Sequence, residues 1–144
     1  MRRALALAQR AADAGDVPVG ALVVAGDGEV LGEGWNRREA EGDPTAHAEI
    51  VAVRAAAQRL GTWRLEGCTL VVTMEPCPMC AGAVVLSRVE RVVLGAWDPK
   101  LGACGSVWDV VRDRRATHRA EVVGGVLEAE CGELVRRFFD AHRA

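Results

Sequence analysis

The chain has 144 residues, half of them hydrophobic and 26% charged, with a formal net charge of −2. That length and balance fit one globular domain spanning residues 1–144 and exclude a disordered or low-complexity chain. They also exclude a uniformly basic nucleic-acid-binding surface.

Met1-Arg2-Arg3 opens like a secretory leader, but the apolar run from Ala4 ends at Gln9, short of the ~7–15 residues a signal core needs. The longest uncharged run, Pro76 to Ser87, falls short of the roughly 20 residues that cross a bilayer. A cytoplasmic location with no membrane association is expected. The five cysteines, an odd number without an export signal, argue against a disulfide framework.

Taken in order, residues 2–14 predict an amphipathic helix with Leu5, Ala8 and Ala12 as its stripe, stopped at Gly15. Val19 to Ala25 and Val30 to Trp35 read as two strands around a Gly26-Asp27-Gly28 hairpin turn. Asn36 to Pro44 is polar and turn-rich. Thr45 is a fitting N-cap for a helix from Ala46 to about Leu60, with Ile50, Val53, Ala57 and Leu60 inward and Gly61 as the stop. Thr69 to Thr73 is a buried-strand run, and Pro78 suits the first turn of a helix reaching about Ser87. Arg91 to Gly95 and Glu121 to Gly124 predict two more strands, joined by a loop with a short helix. Glu128 to Ala141 closes as a helix with Cys131, Leu134, Val135, Phe138 and Phe139 on its apolar side. The order predicts an α/β domain: a mixed sheet of about five strands with helices on both faces.

Two stretches carry chemistry, His47-Ala48-Glu49 and Pro76-Cys77-Pro78-Met79-Cys80. A Cys-x-x-Cys pair opening a helix turns both sulfurs to one face, within reach of one metal. Adding His47 gives a donor set suited to Zn²⁺ rather than Mg²⁺ or Ca²⁺. Three protein ligands leave the fourth tetrahedral position for a water, as catalytic zinc requires. Glu49 is better placed as a base beside that water than as a ligand. The competing readings are a structural zinc, with Cys68, Cys104, Cys131, His118 or His142 as fourth ligand, and a redox pair. A redox pair has no use for His47, and a structural zinc gives Glu49 no role. Cys68, Cys104 and Cys131 read as small apolar fillers. Charge is uneven: residues 112–119 hold four arginines against one aspartate, and Arg37-Arg38 and Arg136-Arg137 form doublets. That distribution predicts a local electrostatic footprint.

The paired H-x-E and P-C-x-x-C pattern resembles the zinc-dependent cytidine/deoxycytidylate deaminase superfamily. Val17-Pro18-Val19-Gly20, Gly34-Trp35-Asn36-Arg37, Asp43 to Ile50, Glu75 to Ala83, Gly95 to Lys100 and Phe138-Phe139 narrow the resemblance to the bacterial tRNA adenosine deaminases, over nearly the whole chain. The resemblance implies a three-layer α/β/α cytidine-deaminase-like fold and one zinc per chain on His47, Cys77 and Cys80. It implies Glu49 as proton shuttle in the hydrolysis of adenosine to inosine at the wobble position of a tRNA anticodon stem-loop, with release of ammonia. It further implies substrate contacts from Asn36, Asp98, Lys100, Phe138 and Phe139, and a homodimer. Two other readings stand beside it: the same chemistry on free guanine, cytosine or a nucleoside such as cytidine, which the net acidity favours, and a non-catalytic zinc-stabilised binding module, which Glu49 speaks against.

Overall fold

The structure, a computed structural model, describes residues 1–143. Its elements are α1 (Arg2–Asp13), β1 (Gly20–Val24), β2 (Val30–Trp35), α2 (Arg38–Glu41), α3 (Ala48–Leu60), β3 (Thr69–Met74), α4 (Pro78–Leu86), β4 (Arg91–Ala96), β5 (Glu121–Val123) and α5 (Glu128–Ala141). The strands form one sheet in the order β2-β1-β3-β4-β5. β1 is antiparallel to β2 and β3, whereas β3–β4 and β4–β5 run parallel. Side chains alternate across the sheet as the strand period demands. Ala21 and Val23 face a core shared with α3 and α4, while Leu22 faces α1. α5 packs beside α1 on that second face, against β3 and β4. The expected mixed five-stranded sheet between two helical layers is therefore present. No described helix is long and apolar enough to cross a membrane.

The helical faces depart from the periodicity reading. α1 buries Ala4, Leu7, Ala8 and Ala11, rotated from the expected stripe. α3 buries Ala48, Glu49, Ala52 and Ala56, and Leu60 is exposed. The cause lies on β2. A Cβ placed on Gly34 would fall 2.3 Å from the carbonyl oxygen of Ala48, and one on Gly32 would fall 2.4 Å from that of Ala52. The helix rests directly on a glycine track, and only alanines fit on the side that touches it. Val53 and Ala57, expected inward, are half-buried and pack against the edge of the core, and Ile50 is half-buried.

Three local expectations are also corrected. Thr45 does not cap α3: Asp43 accepts its amide at 2.8 Å and its hydroxyl at 2.7 Å, forming a turn that ends before the helix. His47 is the capping residue instead. The polar segment after β2 contains the short α2, whose Glu39 and Ala40 amides donate to the buried Asp16 at 3.0 and 3.3 Å. The segment between β4 and β5 has no helix; turns and a single Cys104–Asp109 bridge occupy it.

The strand directions bring every loop of interest to one end of the sheet. β3 and β4 are parallel, so Glu75–Pro76–Cys77 and Trp97–Asp98 leave from the same edge. β1 runs the other way, so its start at Gly20 lies at that edge, opposite Trp35 at the end of β2. Ligand sites in α/β sheets collect at the carboxyl ends of parallel strands.

Candidate active site

His47 and Cys77 are the residues that precede α3 and α4, both extended, with φ −71 and ψ 150 for the first and φ −72 and ψ 173 for the second. Pro78 follows at the first helical position, where its missing N–H costs nothing, and Cys80 lies one turn in. The two helix starts converge. His47 Nδ1 lies 3.6 Å from Cys77 Sγ and 3.5 Å from Cys80 Sγ. The three donor atoms all lie within 4.8 Å of one another.

Tetrahedral zinc, with Zn–S of about 2.3 Å and Zn–N of about 2.0–2.1 Å, needs sulfur and nitrogen about 3.6 Å apart. The spacing and the donor chemistry both fit zinc. Among the described residues these three form the one such cluster, and Cys68, Cys104 and Cys131 are separately buried free thiols. The three-ligand arrangement, with no further cysteine or histidine joining it, is that of an open site rather than a closed structural one. The hydrogen bond between the paired thiols, reinforced by His47, holds Cys77 well below the usual thiol range and, with burial, pushes Cys80 up. The bond to Cys77 also raises the His47 imidazole. The positive ends of α3 and α4 favour negative charge at this point.

Glu49 sits in the first turn of α3 and is buried beside the ligands. Burial is the main cause that pushes its carboxyl above the ordinary range. It shares with His47, Cys77, Asn36, Asp98 and Lys100 the lining of a cleft of about 520 Å³. Asn36 is buried in one wall. Its side-chain amide donates to the Val17 carbonyl at 3.2 Å and its oxygen accepts the Arg38 amide at 3.4 Å. Asp98, Pro99, Lys100 and Leu101 make another wall, and Val135, Arg136 and Phe139 of α5 close the rim.

The structure thus gathers the expected residues except Phe138. Phe139 is 44% exposed at the cleft rim, not packed in the core. Phe138 lies outside the lining, edge-on to Phe139 at 5.6 Å and stacked on His142 at 4.2 Å. The arginine-rich run is partly self-neutralised, because Arg112 pairs with Asp109 and Arg115 with Asp113. Two rim cations, Arg38 and Arg136, were legible only as members of doublets. The role of Glu75 left a weaker signal, a carboxylate ahead of a proline; its three amide donors lie 23 to 31 residues downstream.

Residues 1–96 match the family model of the cytidine and deoxycytidylate deaminase zinc-binding region. The tRNA-specific adenosine deaminase of Bacillus subtilis (strain 168) is 52% identical over 96% of this chain and 86% of its own. A structure solved in a study of A-to-I editing by tRNA:A34 deaminases at the wobble position of transfer RNA superposes with a TM-score of 0.89, at 41% identity, over 93% of this chain and 96% of that one. A guanine deaminase from Nitrosomonas europaea shares the fold at a TM-score of 0.83 but only 26% identity, over 95% of this chain and 81% of that one. Similarity of that depth over almost the whole length, on top of the convergent His47, Cys77 and Cys80, makes the chain a member of the tRNA-specific adenosine deaminases, within the cytidine and deoxycytidylate deaminase family.

Proposed function

We propose that this protein hydrolyses the exocyclic amine of adenosine at the wobble position of a tRNA anticodon, producing inosine and ammonia. The observation that carries the reading is a buried carboxylate, Glu49, beside a three-donor zinc site in a cleft rimmed by Arg38, Lys100 and Arg136. In this reading His47, Cys77 and Cys80 hold one zinc per chain. When bound there, zinc supplies the acidity that makes a hydroxide nucleophile from water near neutral pH.

Glu49 does the proton work. It takes one proton of the attacking water and delivers it to a ring nitrogen as C6 becomes tetrahedral. It then takes the proton of the new C6 hydroxyl and passes it to the amine, so that the C–N bond breaks, ammonia leaves and the C6 carbonyl forms. One carboxylate serves as base and then acid because the two tasks follow one another. Asn36 uses one N–H and one lone pair within the protein, so a second of each remains for the target nucleotide. Asp98 and Lys100 flank the entering strand, and Phe139 offers an exposed ring for a neighbouring base, supported edge-on by Phe138. A single-stranded anticodon loop fits such a cleft because its bases are already partly splayed. A tRNA substrate implies a cytoplasmic location. The reading includes a homodimer, supported by the large exposed apolar side chains Met79 and Leu86 on α4 and Val107 and Trp108 in the β4–β5 segment.

Ammonia release from an anticodon stem-loop, compared with free adenosine, guanine, cytosine and cytidine, tests the reading. The stem-loop is expected to have by far the highest kcat/KM. A faster rate on a free base would transfer the assignment to that base.

A further inference from the structure

Glu75 is the least exposed carboxylate of the cleft, at 3%. Its Oε1 accepts the Asp98 amide at 2.9 Å and the Ser106 hydroxyl; its Oε2 accepts the Cys104 amide at 3.0 Å and the Ser106 amide at 3.1 Å. An ionised carboxylate offers about four lone-pair sites, and here all four are filled. The donors come from both ends of one segment, residues 98–106, which has no regular secondary structure to hold it. The segment is closed around the carboxylate so tightly that a Cβ on Gly102 would fall 2.2 Å from Oε1. Asp98 carries the hold onward: its Oδ1 accepts the Lys100 amide at 2.9 Å and its carbonyl accepts the Gly102 amide at 2.9 Å. Asp98, Pro99, Lys100 and Leu101 are the cleft wall formed by this segment.

We propose that Glu75 is a positioning residue that fixes this wall for the polynucleotide, acting through the 98–106 segment rather than on the reacting atoms. It has no lone pair free to take a proton from water. Replacing its carboxylate by an amide leaves one oxygen acceptor and turns an NH2 group toward backbone N–H donors at the other position, so the segment loses either the Asp98 partner or the Cys104 and Ser106 amide partners. Hydrogen bonds gathered on one buried acceptor strengthen one another, so losing part of the network weakens the rest. The zinc donors and Glu49 are held by α3 and α4, which this network does not build. The inference rests on the tRNA reading for its substrate, while the hold on the segment is measurable without one.

The test uses the zinc-loaded full chain as wild type, Glu75→Gln, Gly102→Ala and Ser106→Ala. Two readouts are taken: steady-state kinetics on an anticodon stem-loop and hydrogen exchange at the amides of Asp98, Cys104 and Ser106. In Glu75→Gln and Gly102→Ala, KM is expected to rise about tenfold or more, with kcat falling less than about threefold. Exchange protection should fall at the Asp98 amide or at the Cys104 and Ser106 amides, and zinc should remain at one per chain. Ser106→Ala, which removes one of four donors, should fall between these and wild type. If Glu75→Gln does not fold, Gly102→Ala and Ser106→Ala carry the decision. Protection unchanged in every folded variant overturns the proposal, as does a fall in kcat at constant KM, which would put Glu75 in the chemical step. Wild-type protein inactive on the stem-loop would instead refute the tRNA reading. The exchange readout alone then decides whether Glu75 holds the wall.

Discussion

Glu49 and Glu75 are two buried carboxylates lining one cleft, and their surroundings give them opposite capacities. Glu75 is saturated by four donors, whereas Glu49 is pushed toward protonation mainly by burial. Of the two, Glu49 is the one beside the zinc donors, where a water is activated. Glu49→Ala should therefore keep its zinc and its fold and lose turnover by ~10²–10⁴-fold, the usual cost of removing a general acid–base. Metal analysis beside the rate assay checks this, and a near-wild-type rate would move the shuttle to another group. Cys77→Ser or Cys80→Ser should lose both metal and stability, since ligation and folding are coupled. Full zinc content in both variants would refute the ligand assignment. The remaining thiols make a sharper contrast. Cys68, Cys104 and Cys131 are buried, and burial raises all three, Cys104 to about 12. Buried apart from the metal-donor cluster, they serve as neither nucleophile nor ligand. Native zinc-loaded protein should resist alkylation at pH 7.5; chelation should expose half-buried Cys77 before any of the other four. Mass spectrometry that found Cys104 labelled in the folded protein would contradict this order.

At the scale of the element, the contact between α3 and β2 decides how the site is aimed. His47 and Glu49 are placed by α3, and α3 is placed by Gly32 and Gly34 beneath it. Gly34→Ala has no room, because the helix backbone stands where the methyl must go. The cost expected from overpacking is about 1–3 kcal/mol, read as a lower urea midpoint. Activity per folded molecule should fall too, because the shift displaces the first turn of α3. A midpoint equal to wild type would show that the helix has slack. The same contact explains what the sequence alone conveyed and what it withheld. Both strands of the hairpin, the ends of α4 and the span of α5 were legible, because glycine, proline and polar residues punctuate them locally. The inward face of α3 was legible only in part: Val53 and Ala57 do pack against the core, but Ile50 and Leu60 outweighed Ala52 and Ala56 on hydrophobicity, and the glycines that decide the matter lie on another strand. The donor set His47, Cys77 and Cys80 was legible because ligand spacing is itself local within each stretch. The work of Glu75 was hidden because its donors are remote in sequence.

Across the whole molecule, a net charge of −2 has to be reconciled with a polyanionic substrate. The solution lies in where the cations are free. Arg112 and Arg115 are bound to neighbouring aspartates, and exposed pairs of that kind contribute little to stability but do cancel local field. Arg38 and Lys100 stand at the cleft rim, and Arg136 stands there with Glu133 beside it. Affinity for the stem-loop should therefore depend on few phosphates and weaken only moderately with salt. Each phosphate neutralised on a single strand contributes a log–log slope of about −0.7. Arg38→Ala and Lys100→Ala should each flatten the slope by about that amount and raise KM, with kcat largely retained. Arg136→Ala should change it less, because Glu133 already offsets the charge. Arg112→Ala and Arg115→Ala should leave it as it was. Titrations of a fluorescent stem-loop between 50 and 300 mM salt, a range set by about one Debye length of ~14 to 6 Å, resolve these differences. Equal slopes for all five variants and wild type would place the phosphate contacts away from the cleft rim and break the link between this cleft and the RNA.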